Sequence, residues 1–293
     1  MRIAILHSRI RVEERLLGES LAARGIEHEF VDVREIVLDL HDPAPWQRFD
    51  AAIDRCVSHS AALAVVRVFE GWGMPVVNPS RVIDTCGDKL ATSVALVRAG
   101  VPTPRTRVAV SENSAIAAIE ANGYPAVLKP TVGSWGRLLS RVNDRDAAEA
   151  IVEHKATLGS VQHSVFYVQE HVNKPGRDLR VFVAGDEAIC GIARESEHWI
   201  TNTARGGRAT PIDVSGEVGA ISVRAAHAVG GGIVAVDLLE HPRDGLTVGE
   251  VNHTMEFRNS IEPTGVDIPG RIVEWTLGLA RRGWARTPEG VRA

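Results

Sequence analysis

The stretch Val234-Ala235-Val236-Asp237-Leu238-Leu239-Glu240-His241-Pro242-Arg243-Asp244-Gly245-Leu246-Thr247-Val248-Gly249-Glu250-Val251-Asn252 reads as two apolar strands joined by a Pro/Asp/Gly turn. Pairing about a centre at 243.5 sets Asp237 opposite Glu250, and the two-residue period of a strand puts Asn252 on the same face as Glu250. Two carboxylates and an amide oxygen on one face form an oxygen-only donor set. Such a set suits Mg²⁺, which keeps its remaining positions for water and phosphate oxygens. The solvated face of a surface hairpin accounts for the same pattern equally well, so the choice rests on the rest of the chain.

Upstream, Tyr124-Pro125-Ala126-Val127-Leu128-Lys129-Pro130 is a strand with a lysine at its end, followed by Thr131-Val132-Gly133-Ser134-Trp135-Gly136-Arg137-Leu138-Leu139. Two glycines three apart let a loop turn backbone N–H groups toward phosphate oxygens while the lysine offsets their charge. A glycine hairpin beside a solvated lysine looks the same. No GxxxxGK[ST] occurs, which excludes a P-loop, and the protein-kinase signatures are missing. Between the two segments, Val165 to Val172 is an apolar strand that ends in Gln169, Glu170 and His171. It offers an edge for a flat base and reads equally as an ordinary hairpin strand.

The N-terminal third has a different rhythm. Residues 2 to 6 form a short apolar strand, 11 to 24 a helix stopped by Gly25, and 26 to 33 an extended segment. Residues 51 to 54, 60 to 70 and 74 to 78 then repeat the strand–helix–strand pattern. This predicts a small parallel sheet. No GxGxxG follows the first strand, which argues against a dinucleotide site there. Residues 81 to 99 read as one helix ended by Gly100, with Pro102 and Pro104 in an extended connector, and a boundary falls near residue 85. Helical patterns at 112–121, 144–157, 216–229 and 269–282 alternate with strands after residue 125.

With 293 residues, 44% hydrophobic and 24% charged, the chain can build one to three domains. The 33 basic and 37 acidic residues give a net charge of −4, against the positive excess that nucleic-acid binding shows. Cys56, Cys86 and Cys190 match neither zinc-ligand nor CxxC spacing and read as free thiols in a reducing cytosol. No apolar run is long enough for a signal core or a membrane span. The expectation is a cytoplasmic protein with no nucleic-acid or membrane partner.

Taken in order, Cys86-Gly87-Asp88-Lys89, Leu128-Lys129-Pro130, Gly133 to Arg137, Gln169 to Val172, Pro175 to Arg180, Asn202 to Gly207 and Glu250 to Asn259 resemble the ATP-grasp superfamily of carboxylate–amine ligases. Within it they are similar to the RimK-related branch called LysX, and the likeness runs from about residue 1 to 282. The resemblance implies an α/β and α+β chain with three parts. These are an N-terminal parallel-sheet (pre-ATP-grasp) domain over 1–85, a central ATP-grasp subdomain over 86–172 and a C-terminal subdomain over 173–293.

It further implies that ATP is cleaved to ADP and phosphate while the α-amino group of L-2-aminoadipate is joined to a carrier protein in lysine biosynthesis. The acceptor is the side-chain carboxylate of the C-terminal glutamate of the small acidic carrier LysW. Glutamate ligases of the ArgX and RimK kinds are the alternatives. Lys89 and Lys129 then contact phosphates, covered by Gly133, Ser134, Trp135, Gly136, Arg137, Leu138 and Leu139. Gln169, Glu170, His171, Val172 and Asp178 line the adenine and ribose side, and Arg194 and Asn202 complete the nucleotide site. Asp237, Glu250 and Asn252 hold Mg²⁺, expected as two ions. Arg180 and Arg194 serve catalysis and substrate binding together with Asn259 and Ser260, the pair that stands where ArgX proteins carry Gly-Phe. Arg194, Arg205 and Arg208 are the basic candidates for docking the carrier, and a dimer or tetramer is expected.

Overall fold

The computed structural model describes residues 1–133, 138–159, 164–199, 201 and 208–284. The chain opens with β1 (Arg2–His7), whose residues from Ile3 onward are all buried, as a strand covered on both faces of a parallel sheet requires. With β2 (Glu27–Asp32), β3 (Ala51–Asp54) and β4 (Val76–Val77) it forms a parallel sheet in the order β2-β1-β3-β4. The crossovers are α1 (Val12–Ala23) and α2 (His59–Gly71), the second capped by the Ser58 side chain accepting from Ala61 N.

The expected single helix at 81–99 is two helices, α3 (Ser80–Gly87) and α4 (Lys89–Arg98), broken at Asp88. Asp88 takes extended backbone angles and caps α4 by accepting from Leu90 N and Ala91 N. Its backbone bridges Val132, so the break ties the start of α4 to the chain leaving the lysine strand.

The middle of the chain is an antiparallel sheet, β5-β8-β6-β7, built from β5 (Thr106–Ala109), β6 (Ala126–Lys129), β7 (Ser140–Val142) and β8 (Phe166–Glu170). It is backed by α5 (Glu112–Asn122) and α6 (Arg145–Leu158), which share one apolar core with the sheet. A second antiparallel sheet follows in the order β11-β10-β9-β12-β13. Its strands are β9 (Arg177–Ala184), β10 (Glu187–Glu195), β11 (Arg208–Ile212), β12 (Ile233–His241) and β13 (Gly245–Asn252). One face packs on α7 (Gly216–Ala228). The other shares a core with α1 and with the closing helices α8 (Arg258–Thr264) and α9 (Ile268–Ala280).

Asn78, buried after β4, donates to Ile233 O and His253 O at 2.7 Å each and accepts from Ile233 N. The N-terminal sheet is thereby fixed to the first residue of β12 and to the segment after β13. Among the described residues no helix is long and apolar enough to cross a membrane.

Candidate active site

The β12–β13 hairpin positions the acidic residues. Its turn centres on 243, since His241 pairs with Gly245, yet Asp237 pairs with Glu250. The extra residue is a bulge on β13 at Gly249. Its effect is visible in the packing: Val248 and Val251, three apart, both enter the core, while Glu250 and Asn252 face away from it. A strand without the bulge would have buried Glu250 with Val248. Gly245, at φ +71°, supplies the left-handed residue that a three-residue hairpin loop needs.

Asp237 also pairs across β9 with Arg180, so Arg180, Asp237 and Glu250 form a row across three strands. Arg180 grips the Asp237 carboxylate in bidentate fashion at 2.7 and 2.8 Å, and Arg194 from β10 reaches the second oxygen at 3.1 Å. Burial alone pushes the Asp237 carboxyl up; the two guanidinium groups outweigh it and hold the group below the usual carboxylate range. Arg194 is 4% exposed and also bonds Asp178 at 2.6 Å. Asp178 in turn accepts from Thr201 and from Lys174.

The facing wall comes from the central sheet. Strand alternation puts Val127 and Lys129 of β6 on one face, and the Lys129 ammonium donates to Gln169 Oε1 at 2.6 Å. Burial pushes the Lys129 pKa down to about 8, helped by Lys89 and Lys174 and opposed by Glu250 and Asp237. The break at Asp88 delivers Lys89, whose ammonium donates to Gly133 O at 2.6 Å and stands 3.5 Å from Glu250 Oε1. Between these walls lies a cavity of about 1020 Å³, to whose lining the N-terminal part of the chain adds Arg11, Cys56 and His59. This is ample for a nucleoside triphosphate and part of a second substrate.

Of the residues expected at the site, Lys129, Gly133, Leu139, Gln169, Glu170, His171, Val172, Asp178, Arg180, Arg194, Asp237, Glu250 and Asn252 all line this cavity. Lys89 reaches two of them, and Leu138 is exposed beside the loop. Ser134, Trp135, Gly136, Arg137, Asn202 and Arg205 lie outside the described residues. Asn259 and Ser260 sit instead on a second, small cavity of about 70 Å³, which they share with Arg180 and Arg194. The two arginines therefore stand between the two spaces.

Asp237, Glu250 and Asn252 fit a hard divalent cation by donor type, since two carboxylates and an amide oxygen all line the large cavity. Another trio, Glu170, His241 and Asp244, lies within 4.8 Å. There His241 Nδ1 accepts from Arg243 N and Asp244 N, and Glu170 Oε1 accepts from Arg105 N at 2.6 Å. Those atoms brace the β12–β13 turn and the start of β5.

One expectation is corrected: Arg194 is buried and committed to Asp178 and Asp237, so it is no part of an exposed docking surface, whereas Arg208 is exposed. The three cysteines are unpaired, as their spacing implied. Lys174, His59 and His253 were not anticipated. Burial, with His59 and Arg55 nearby, pushes the His253 pKa down to about 4, so its ring is neutral at pH 7. No local pattern marks these three, because each reaches the cavity from a loop or helix end.

Two antiparallel sheets that close on one cavity, with lysines on one wall and a carboxylate–amide set on the other, define a nucleotide-dependent ligase of the ATP-grasp class. A family model described as the LysX preATP-grasp domain matches residues 3–85, and one described as the RimK-like ATP-grasp domain matches 86–276. The chain belongs to the RimK-like ATP-grasp family. It is 37% identical over 231 residues to the α-aminoadipate–LysW ligase LysX of Sulfolobus acidocaldarius, covering 77% of this chain and 84% of that one. It is 34% identical over 281 residues to the glutamate–LysW ligase ArgX of Sulfurisphaera tokodaii, covering 94% and 98%. The crystal structure of a RimK-domain ATP-grasp protein from Sphaerobacter thermophilus, 32% identical, superposes with a TM-score of 0.78 over 95% of this chain and all of that one.

Proposed function

We propose that this ligase joins the α-amino group of L-2-aminoadipate to the side-chain carboxylate of the C-terminal glutamate of a LysW-type carrier, in lysine biosynthesis. The observation that carries the reading is the small cavity. It shares Arg180 and Arg194 with the large one and is walled by Asn259 and the buried Ser260. Small polar side chains there leave length for a substrate one methylene longer than glutamate, where Gly-Phe shortens it.

A carboxylate is a poor electrophile. When bound, Mg·ATP supplies the phosphoryl group that makes it an acyl phosphate and gives its carbon a leaving group. In this chain Asp237, Glu250 and Asn252 would hold the cation. Lys129 and Lys89 neutralise phosphate charge from the opposite wall, and the described part of the loop continues that wall. Arg194, kept cationic by Asp178 and Asp237, and Arg180 are placed to orient carboxylate and phosphate oxygens at the passage between the cavities. Arg11 and His59 line the same cavity from the N-terminal part of the chain.

ADP release with Mg·ATP tests this. It is expected to require both the carrier and aminoadipate, and to vanish with a carrier that lacks its last glutamate. Release that ignores the carrier would overturn the reading.

A further inference from the structure

We propose that Glu13, on the N-terminal domain, holds the amine of the incoming amino acid in the small cavity and accepts its proton; this rests on the coupling reaction proposed above. Glu13 lies in the first turn of α1 and is 2% exposed. It lines the small cavity together with Arg180, Arg194, Arg258, Ser260 and Glu256. Its Oε1 takes one long hydrogen bond, 3.5 Å, from the backbone N–H of Arg258.

The next residue shows what is missing. Glu14, fully buried, is neutralised by Arg11 at 2.8 Å and by Arg55 at 3.0 Å. Among the described residues no ion pair joins Glu13 to a cation: Arg11 and Arg55, whose field reaches it, are engaged with Glu14, Arg258 gives it only a backbone N–H, and Arg180 and Arg194 on the same cavity are committed to Asp237. Burying a carboxylate without a counter-charge costs several kcal/mol. A ligand that brings its own cation into the cavity removes that cost. A primary ammonium does so: it is compact and carries three donors.

The chemistry needs a base at this place. An ammonium has no lone pair with which to attack the acyl phosphate. Glu13 takes one N–H proton and becomes a carboxylic acid, and the freed nitrogen pair forms the C–N bond at the acyl carbon. The C–O bond to phosphate then breaks, and the second proton leaves nitrogen with the departing phosphate. Glu13 returns its proton to water as product leaves. The charged groups that surround it are Glu14 and Arg11 on α1, Arg55 after β3, Glu256 and Arg258 before and in α8, and the two arginines of the C-terminal sheet.

The test compares two nucleophiles on the full chain with carrier and Mg·ATP. Aminoadipate arrives protonated; hydroxylamine is already neutral at pH 7 and needs no base. Glu13→Gln keeps an acceptor for Arg258 N but cannot take a proton. It is expected to slow amino-acid coupling by about 100-fold or more while carrier hydroxamate forms within about threefold of the wild-type rate. Coupling by this variant should then climb about tenfold per pH unit between about pH 7 and 9, as solvent deprotonates the amine, while the wild type climbs less. Equal losses with both nucleophiles, or coupling within threefold of wild type, would overturn the proposal.

If Glu13→Gln loses its cooperative melting transition, Glu13→Asp decides by the same comparison, with coupling expected to fall further than hydroxamate formation. A wild-type enzyme that forms hydroxamate yet couples no amino acid refutes the coupling reaction itself, and Glu13's role with it. Wild-type coupling that survives Glu13→Gln refutes the role alone.

Discussion

Lys129→Met should make the protein more stable and nearly useless. The wild-type ammonium, half-buried against Gln169, has its pKa held at about 8 against an ordinary 10.5. That displacement corresponds to about 3 kcal/mol of folding free energy withheld at neutral pH. Water in the cavity screens part of it, so this is a ceiling. Met fills similar space without charge, but it leaves Gln169 Oε1 without its 2.6 Å donor, which costs about 1 kcal/mol. The net gain is about 1 to 2 kcal/mol, a rise in Tm of about 2 to 3 °C for a chain of this size.

The dependence on pH follows from the sign of the shift. The native state holds the Lys129 proton less tightly than the unfolded chain does, so wild-type stability is reduced at all pH values below about 8. It recovers as pH rises toward 10.5, where the lysine is neutral in both states. The variant's advantage should therefore be flat up to about pH 8 and vanish above it. Adding Mg·ATP at 100 times the wild-type Kd should stabilise the wild type by about 2.7 kcal/mol and the variant by a few tenths. Differential scanning calorimetry with and without nucleotide reads all three effects. A variant that melts at or below wild type at pH 7 would show that the buried charge carries no such penalty.

Asp237→Asn and Glu250→Gln should each cut ADP release below about a tenth of wild type, with different costs in stability. The first strands Arg180 and Arg194 and should cost about 3 kcal/mol, whereas Glu250, paired with Lys89 only at 3.5 Å and half-exposed, should cost under about 1; equal denaturation midpoints would refute the arginine clamp. Asp54, buried with Oδ2 unpartnered among the described residues, has its pKa raised to about 6 by burial. Its contribution is full below about pH 4 and lost as pH rises through 6, so Asp54→Asn should add up to about 3 kcal/mol at pH 7 and flatten that decline. An unchanged pH–stability curve would refute this. Asn259→Gly with Ser260→Phe should move the kcat/KM ratio toward glutamate by about 10- to 200-fold, the range of one methylene; an unmoved ratio means that the selector lies elsewhere.

The sequence was most legible where function rests on neighbours. The Asp237–Glu250 pairing follows from a symmetric hairpin, although the bulge at Gly249 that makes it compatible with burial of both Val248 and Val251 leaves no signal but one glycine. The break at Asp88 was written in Gly87-Asp88, a stop followed by a good cap, yet it was masked by helical periodicity on both sides. β5 was hidden because four residues beside two prolines read as a connector. The arginine clamp joins positions 57 residues apart, and Glu13 meets Arg258 across 245. The first arises when β9 pairs with β12, the second only when the N-terminal sheet closes on the C-terminal one, through Asn78 and the core shared with α9. Local pattern carries no trace of them.

The central claim is best tested in one vessel that holds the enzyme, Mg·ATP, a LysW-type carrier and equal concentrations of L-2-aminoadipate and L-glutamate, followed by intact-mass spectrometry of the carrier. The expected product is carrier heavier by one aminoadipyl residue, in at least tenfold excess over the glutamyl product, with one ATP cleaved per residue added. A glutamyl product in equal or greater amount would contradict the account, as would an unmodified carrier.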